Sequence, residues 1–177
     1  MAPAEFGHKA QTLPTVSVRI LTSACAEHDR TPVSPVNTGG MAQSSESPEL
    51  PASGTRCPCT SGLEFGECCG RWIVDGQPAP TAVQLMRSRF TSFAIGDAAY
   101  LLATWHAPAR PSRLELDQDV RWFRLDILRT ERGGPLDRTG LVEFAAHYRQ
   151  DGERGIQQES STFVREGGRW FYVGAIV

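Results

Sequence analysis

Four cysteines in thirteen residues, CPCTSGLEFGECC at 57–69, constrain this chain more than any other feature, and its 177 residues hold only one further cysteine, Cys25. The spacing is C-x-C-x8-C-C. A thiolate is a soft ligand suited to tetrahedral zinc, and structural zinc sites close with four protein ligands. Cys57 and Cys59 can ligate from one tight turn that Pro58 stiffens, Gly62 and Gly66 let the chain reverse, and Cys68 and Cys69 supply the second pair. So short a module has no hydrophobic core of its own. Metal binding, worth on the order of 10 kcal/mol in small zinc peptides, holds such a module instead. The rival is a strained disulfide between the adjacent Cys68 and Cys69, but the C-x-x-C spacing of redox dithiols is absent. The expected cofactor is one zinc ion per chain on Cys57, Cys59, Cys68 and Cys69. Cys25 has no neighbour in a metal-ligating spacing and receives no role.

The compartment follows from what surrounds the cluster. No run of about 18 apolar residues exists, so no membrane-spanning helix is expected. The one apolar patch near the start, TVSVRILTSACA, is interrupted by Arg19, which argues against a secretory leader. The expectation is a cytoplasmic protein, and in a reducing cytosol clustered thiols bind metal more often than they form disulfides. A net charge of -2 gives no bulk electrostatic sign of a nucleic-acid or acidic-membrane partner. Arg56 and Arg71 flank the cluster and leave nucleic acid open at that one place.

The chain is lopsided. Residues 1–56 hold a single aromatic, Phe6, and a Ser-, Pro- and Gly-rich stretch that cannot bury enough apolar surface to offset chain entropy. They are expected to be a disordered tail, with 57–72 as the metal motif and 78–177 as the folded body. All four tryptophans lie at or after Trp72.

TAVQLMRSRFTSF predicts a helix with Thr81 and Gln84 as a capping box and Val83, Met86, Phe90 and Phe93 on one face. Gly96 ends it and Asp97 caps the next helix, DAAYLLATW, where Leu101 and Trp105 stack one turn apart. Pro108 and Pro111 stop that helix. The period then changes to two. VRWFRLDIL and GLVEFAAHYR read as strands, the second with Val142, Phe144, Ala146 and Tyr148 on one face and Glu143, Ala145 and His147 on the other. Asp151-Gly152 and Gly167-Gly168 mark hairpins that join GIQQESSTFVRE and RWFYVGAIV to it as a three-stranded antiparallel meander. Helices first and strands afterwards give an α+β class.

CPCTSGLEFGECCG resembles the SEC-C motif, the short zinc-binding element also found at the C-terminus of the SecA translocation ATPase. RSRFTSFAIGDAAYLLATWH (87–106), RPSRL (110–114), GLVEFAAHYR (140–149) and ESSTFVREGGRWFYV (159–173) resemble the YchJ family, also called UPF0225. The resemblance implies an NTF2-like cone, helices packed on a curved antiparallel sheet, and matches the four cysteines one for one to the motif's ligands. Two departures stand out. Some members carry a second cysteine cluster at the C-terminus, and many end the last strand with Asp-Gly; this chain ends in YVGAIV.

The family leaves function open, since NTF2-like folds host both enzymes and binding domains. In the leading reading the protein is an adaptor whose zinc knob recruits a protein or ribosomal partner, as SEC-C elements do elsewhere. An alternative is a small-molecule-binding protein or a lyase-, isomerase- or hydrolase-type enzyme with a pocket in the cone. The candidates are His106, Tyr148, Glu159 and Tyr172, with Glu143 and His147 behind them. A two-residue turn at 151–152 sets Phe144 opposite Glu159, and the next turn sets Phe163 opposite Tyr172, so Glu159 shares a face with aromatic rings and is a candidate acid or base. A third reading is a structural zinc site on an assembly domain, with a homodimer formed through Ala145, Ile156, Val164, Phe171 and Val173.

Overall fold

The computed structural model of the chain describes residues 48–176 and the backbone of Arg19 and Ile20. In chain order the elements are β1 (Arg19–Ile20), α1 (Gly70–Ile73), α2 (Ala82–Ile95), α3 (Ala98–Ala103), β2 (Leu114–Glu115), β3 (Arg121–Arg132), β4 (Thr139–Gln150), β5 (Glu153–Glu166) and β6 (Arg169–Ile176). β3 to β6 form one antiparallel sheet in sequence order, and β1 pairs antiparallel with β2. The meander thus has four strands, because β3 pairs with β4 along nearly its whole length. No helix among the described residues is long and apolar enough to cross a membrane.

Turn chemistry sets the register. Asp151 and Gly152 both have positive φ, 52° and 82°, as a two-residue hairpin turn of the type I′ kind requires, and Gly167 and Gly168 repeat this at 55° and 80°. Gln150 therefore faces Glu153, and Phe144 faces Glu159. Across the second turn Phe163 faces Tyr172, after which Val173 bulges out. Along β4, Val142, Phe144, Ala146 and Tyr148 are buried on the inner face, and Glu143 and His147 are half-buried on the outer one. Ala145 is buried on that outer face as well, while Ile156 beside it is 45% exposed.

α2 lies across the inner face. Thr81 caps it by accepting from the Gln84 N–H at 3.2 Å, and Gly96 closes it at φ 76°. The return half of the capping box differs from expectation: the Gln84 side chain accepts from the Thr81 hydroxyl at 3.0 Å. The helix is also buried well beyond one face. Leu85, Ser88, Arg89, Thr91 and Ser92 are as buried as Met86 and Phe90. The cysteine module supplies the second cover, since Cys57, Cys59, Phe65 and Cys69 belong to the same core cluster as Leu85, Met86, Phe90 and Phe144. Where α2 begins, Gly133 and Gly140 meet so closely that a Cβ on Gly140 would stand 2.7 Å from the Gly133 Cα and 3.1 Å from the Ala82 Cβ. The Ala82 N–H donates to the Gly133 carbonyl across that contact at 2.9 Å.

Two expectations need correction. The second helix stops at Ala103, so Trp105 does not stack on Leu101 one turn away. Instead Trp105 forms a bridge with Tyr172, whose N–H donates to the Thr104 carbonyl at 2.9 Å and whose carbonyl accepts from the His106 N–H at 2.7 Å. Pairing with the last strand outcompetes two more residues of helix. The boundary of the tail also moves. The Phe65 N–H donates to the Thr55 carbonyl, the Gly66 N–H to the Ser53 carbonyl, and Arg56 bridges Glu64, so residues 53–56 fold with the cysteine module. Residues 1–47, Cys25 included, lie outside the described residues apart from the short strand β1.

Candidate metal centre and cone pocket

The module is built from tight backbone turns. The Cys57 N–H donates to the Leu63 carbonyl at 2.9 Å, closing a loop in which Thr60 and Gly62 have φ of 56° and 89°. The Gly70 N–H reaches the Phe65 carbonyl at 2.7 Å, and a Cβ at Gly70 would sit 2.7 Å from that same oxygen, so only glycine follows the Cys68-Cys69 pair without a shift. The four Sγ atoms all lie within 4.8 Å of one another, with Cys59 to Cys68 at 3.6 Å and Cys68 to Cys69 at 3.9 Å. A tetrahedral thiolate centre with bonds of about 2.3 Å has S···S edges of about 3.8 Å, so the residues fit a metal ion.

Their titration points the same way. Thiols this close cannot all ionise unless a cation stands among them. Cys59 is held far below the ordinary thiol range by hydrogen bonds from Cys57 and then Cys69. Cys68 falls to about 6, chiefly through its hydrogen bond with Cys69. Cys57 rises to about 11 through its bond to Cys59, and Cys69 is driven up by its bonds to the other three. Four soft donors this close form a set that can hold one metal ion.

Three of the four cysteines are buried and Cys68 is half-buried. The Ser61 hydroxyl stands 3.2 Å from the Cys68 Sγ. The inner side of the module is fastened to the body. The Thr60 hydroxyl donates to the Leu125 carbonyl and accepts from the Leu125 N–H, both at 3.1 Å. Arg87 donates to the Cys59 carbonyl at 3.0 Å. The flanking arginines are engaged locally: Arg56 donates to the Gly62 carbonyl, and Arg71 lies over the Trp72 ring.

Beneath α2, on the inner face of the sheet, lies a pocket of about 400 Å³. Its walls include the rings of Phe90, Phe93, Trp105, Trp122, Phe144 and Tyr172, and its polar groups are Arg89, Gln157 and Glu159. Glu159 accepts through Oε1 from the Ser161 hydroxyl at 2.5 Å and the Tyr172 phenol at 3.1 Å, and through Oε2 from Gln157 at 3.2 Å. Burial and then the Glu159 charge push the Tyr172 phenol up to about 12. Arg89 is 2% exposed and donates through Nη1 to the Leu101 carbonyl at 2.7 Å and the Thr104 hydroxyl at 2.8 Å. Its guanidinium lies 4.4 Å from the Tyr172 ring centre and 5.1 Å from that of Trp105. Burial lowers it to about 10, with the Tyr172, Tyr100 and Glu159 charges opposing that fall, so it remains a cation at neutral pH.

Of the sequence candidates, Glu159 and Tyr172 meet in this pocket. The other four do not line it. His106 pairs with Glu166 at 3.2 Å at the outer end of β6. Tyr148 is core: it packs 5.3 Å from Trp122 and covers Gly155, whose absent side chain makes room for the phenol. His147 pairs with Asp126 at 2.8 Å on the opposite face of the sheet, and Glu143 accepts from Gln158 there. Sequence reasoning missed Arg89, Trp105 and Trp122. Arg89 was legible in principle, since it lies between Met86 and Phe90 on the helix face assigned to the core. Trp105 is brought in by the Thr104–Tyr172 pairing and Trp122 by the pairing of β3 with β4; VRWFRLDIL reads as a strand, but no local pattern announces either pairing.

The family model described as the middle NTF2-like domain of YchJ matches residues 81–175, and that of the SEC-C motif matches 55–71. A UPF0225 protein of Corynebacterium glutamicum is 52% identical over 67% of this chain and 94% of its own length. A UPF0225 protein of Chromobacterium violaceum is 47% identical over 68% of this chain and 92% of its own. Among solved structures, a SEC-C motif containing protein from Rhodopseudomonas palustris superposes with a TM-score of 0.61 at 26% identity, covering 70% of this chain and 98% of that one. One from Psychrobacter arcticus, at 24% identity and a TM-score of 0.57, shares the fold.

Proposed function

This chain belongs to the UPF0225 family of YchJ-like proteins with a SEC-C motif, and we propose that it is a small-molecule-binding protein: the cone holds the ligand, and the four cysteines hold one zinc ion that fastens the knob to the cone. The observation that carries this reading is the pocket itself. A concave ring-lined space with a few converging polar groups is the usual form of a ligand site, and here a buried arginine and a glutamate stand in its wall. The knob supports it from outside by closing over the far side of α2, with its thiols turned into the core.

The reading is tested at the mouth of the pocket. Ala175 lines the pocket yet is exposed, so a bulky ring there plugs the entrance without crowding the core. Ala175→Trp is expected to keep the wild-type melting temperature and to weaken binding of a neutral aromatic probe, N-phenyl-1-naphthylamine, by roughly tenfold or more. Equal binding by wild type and variant would count against the pocket as the site.

One observation favours an adaptor role beside this. Leu63 within the cysteine module and Val74 just after it are 53% and 55% exposed, apolar side chains that a docked partner would cover. A tagged Leu63→Glu/Val74→Glu protein keeps all four cysteines. If the module recruits a protein, the variant is expected to lose a co-purifying partner that wild type retains, at unchanged zinc content. Unchanged co-purification would remove this face from consideration.

A further inference from the structure

Resting on the pocket reading, we infer that the ligand is an uncharged, largely aromatic molecule that presents one hydrogen-bond donor to Glu159, and that the site rejects anionic forms of the same ring system.

The argument begins with charge. Arg89 and Glu159 are the ionic groups in the pocket wall, and they balance. They stand on two sides of Tyr172: the guanidinium lies over the ring, and the carboxylate accepts from its hydroxyl. The guanidinium is buried rather than presented to the pocket, at 2% exposure. One nitrogen of Arg89 is committed to Leu101 and Thr104, and the planar group is packed against two aromatic rings. An anion at the open side of Glu159 meets that carboxylate directly, whereas the guanidinium is packed against the Tyr172 and Trp105 rings. A cation is opposed by Arg89 as an anion is by Glu159.

Hydrogen-bond capacity narrows the class further. A carboxylate has about four acceptor positions. Oε1 of Glu159 already serves two donors, whereas Oε2 serves only Gln157. The vacant position at Oε2 calls for an N–H or O–H. The indole N–H of Trp105, a pocket-lining side chain, is buried with no partner among the described residues. A ligand that carries both a donor for Oε2 and an acceptor for the indole N–H, such as a hydroxyl or a heteroaromatic nitrogen next to an N–H, serves both groups. The volume, about 400 Å³, is near the lower end for small-molecule sites and suits about two or three rings.

A matched pair of dyes tests this on the full-length, zinc-loaded protein. N-phenyl-1-naphthylamine is neutral with one N–H donor, and 1-anilinonaphthalene-8-sulfonate is the same ring system with an added anion. Both are titrated by their own fluorescence against wild type, Glu159→Gln, Glu159→Leu and Ala175→Trp. The neutral amine is expected to bind wild type at least about tenfold more tightly than the sulfonate, through like-charge repulsion at Glu159. Glu159→Gln keeps an acceptor and removes the charge, so it should narrow that gap to within about threefold while holding the amine. Glu159→Leu should weaken the amine about fivefold or more, through the lost acceptor. Sulfonate binding wild type as tightly as the amine, or a gap that persists in Glu159→Gln, overturns the ligand class and leaves the pocket reading standing. Absence of binding by both dyes, or binding that Ala175→Trp does not diminish, overturns the pocket reading itself. If Glu159→Leu fails to fold, the wild-type and Glu159→Gln comparisons still decide.

Discussion

A Cys59→Ser protein will carry almost no zinc and will melt as a whole well below the wild type. Cys59 is fully buried, and its sulfur, 3.6 Å from that of Cys68, stands inside the thiol cluster rather than at its edge. Losing one of four ligands removes most of a binding free energy that is on the order of 10 kcal/mol in small zinc peptides. That loss reaches the body, because the module shares its core with α2 and is hydrogen-bonded to β3 through Thr60 and to α2 through Arg87. At least about 3 kcal/mol of stability should disappear, a fall of roughly 10 °C for a domain of this size. Metal content by atomic absorption and thermal unfolding followed by near-UV circular dichroism of the tryptophans check both halves. If the metal goes but the melting temperature holds, the knob is an independent appendage, and the adaptor reading gains what the clamp reading loses.

Phe163→Ala will cost about 3–5 kcal/mol, the usual range for deleting a phenylalanine ring from a packed core. The ring is 1% exposed, faces Gly140 across β4, and stands edge-on to Tyr172 with centroids 5.8 Å apart. Gly140 offers no side chain to move into the space, and the Gly133–Gly140–Ala82 contact behind it is already at its limit. The cavity therefore stays open. A urea midpoint shifted by that amount at unchanged slope is the expected result. A loss under about 1 kcal/mol would mean that the strands close up, and that the close packing at the base of α2 is softer than it looks. The same variant frees one flank of Tyr172, so aromatic probes should bind the pocket more weakly in proportion to the new freedom of that ring.

The most legible parts of the fold were those whose cause is local. The metal ligands sit within thirteen residues, and two turns with paired left-handed residues pinned the register that sets Glu159 beside Phe144 and Phe163 beside Tyr172. What was not legible depends on partners far along the chain. The helical pattern of α2 marks one apolar face, because Ser88, Thr91 and Ser92 look like a solvated side; yet Thr91 lies against Cys57 of the module, docked from an earlier part of the chain, and Ser88 is bonded to Tyr100 of α3. Trp105 reads as helix by its spacing from Leu101, and it is the backbone of Tyr172, 67 residues later (172 less 105), that draws it out into a bridge. Tyr148 and His106 have the residue types of a site but not the place. One fills the gap over a glycine, and the other finds a glutamate at the rim.

The bond between Thr60 and Leu125 has a bearing on the order in which the molecule comes together. The cysteine cluster closes through separations as short as the nine positions from Cys59 to Cys68, whereas seating it on the sheet closes a separation of 65. In chain entropy the second closure is dearer by about 2 kcal/mol. The cluster also leaves the ribosome complete while the strand that will receive it has yet to be made. Chain entropy thus favours closing the cysteine turns early and seating them on the sheet later.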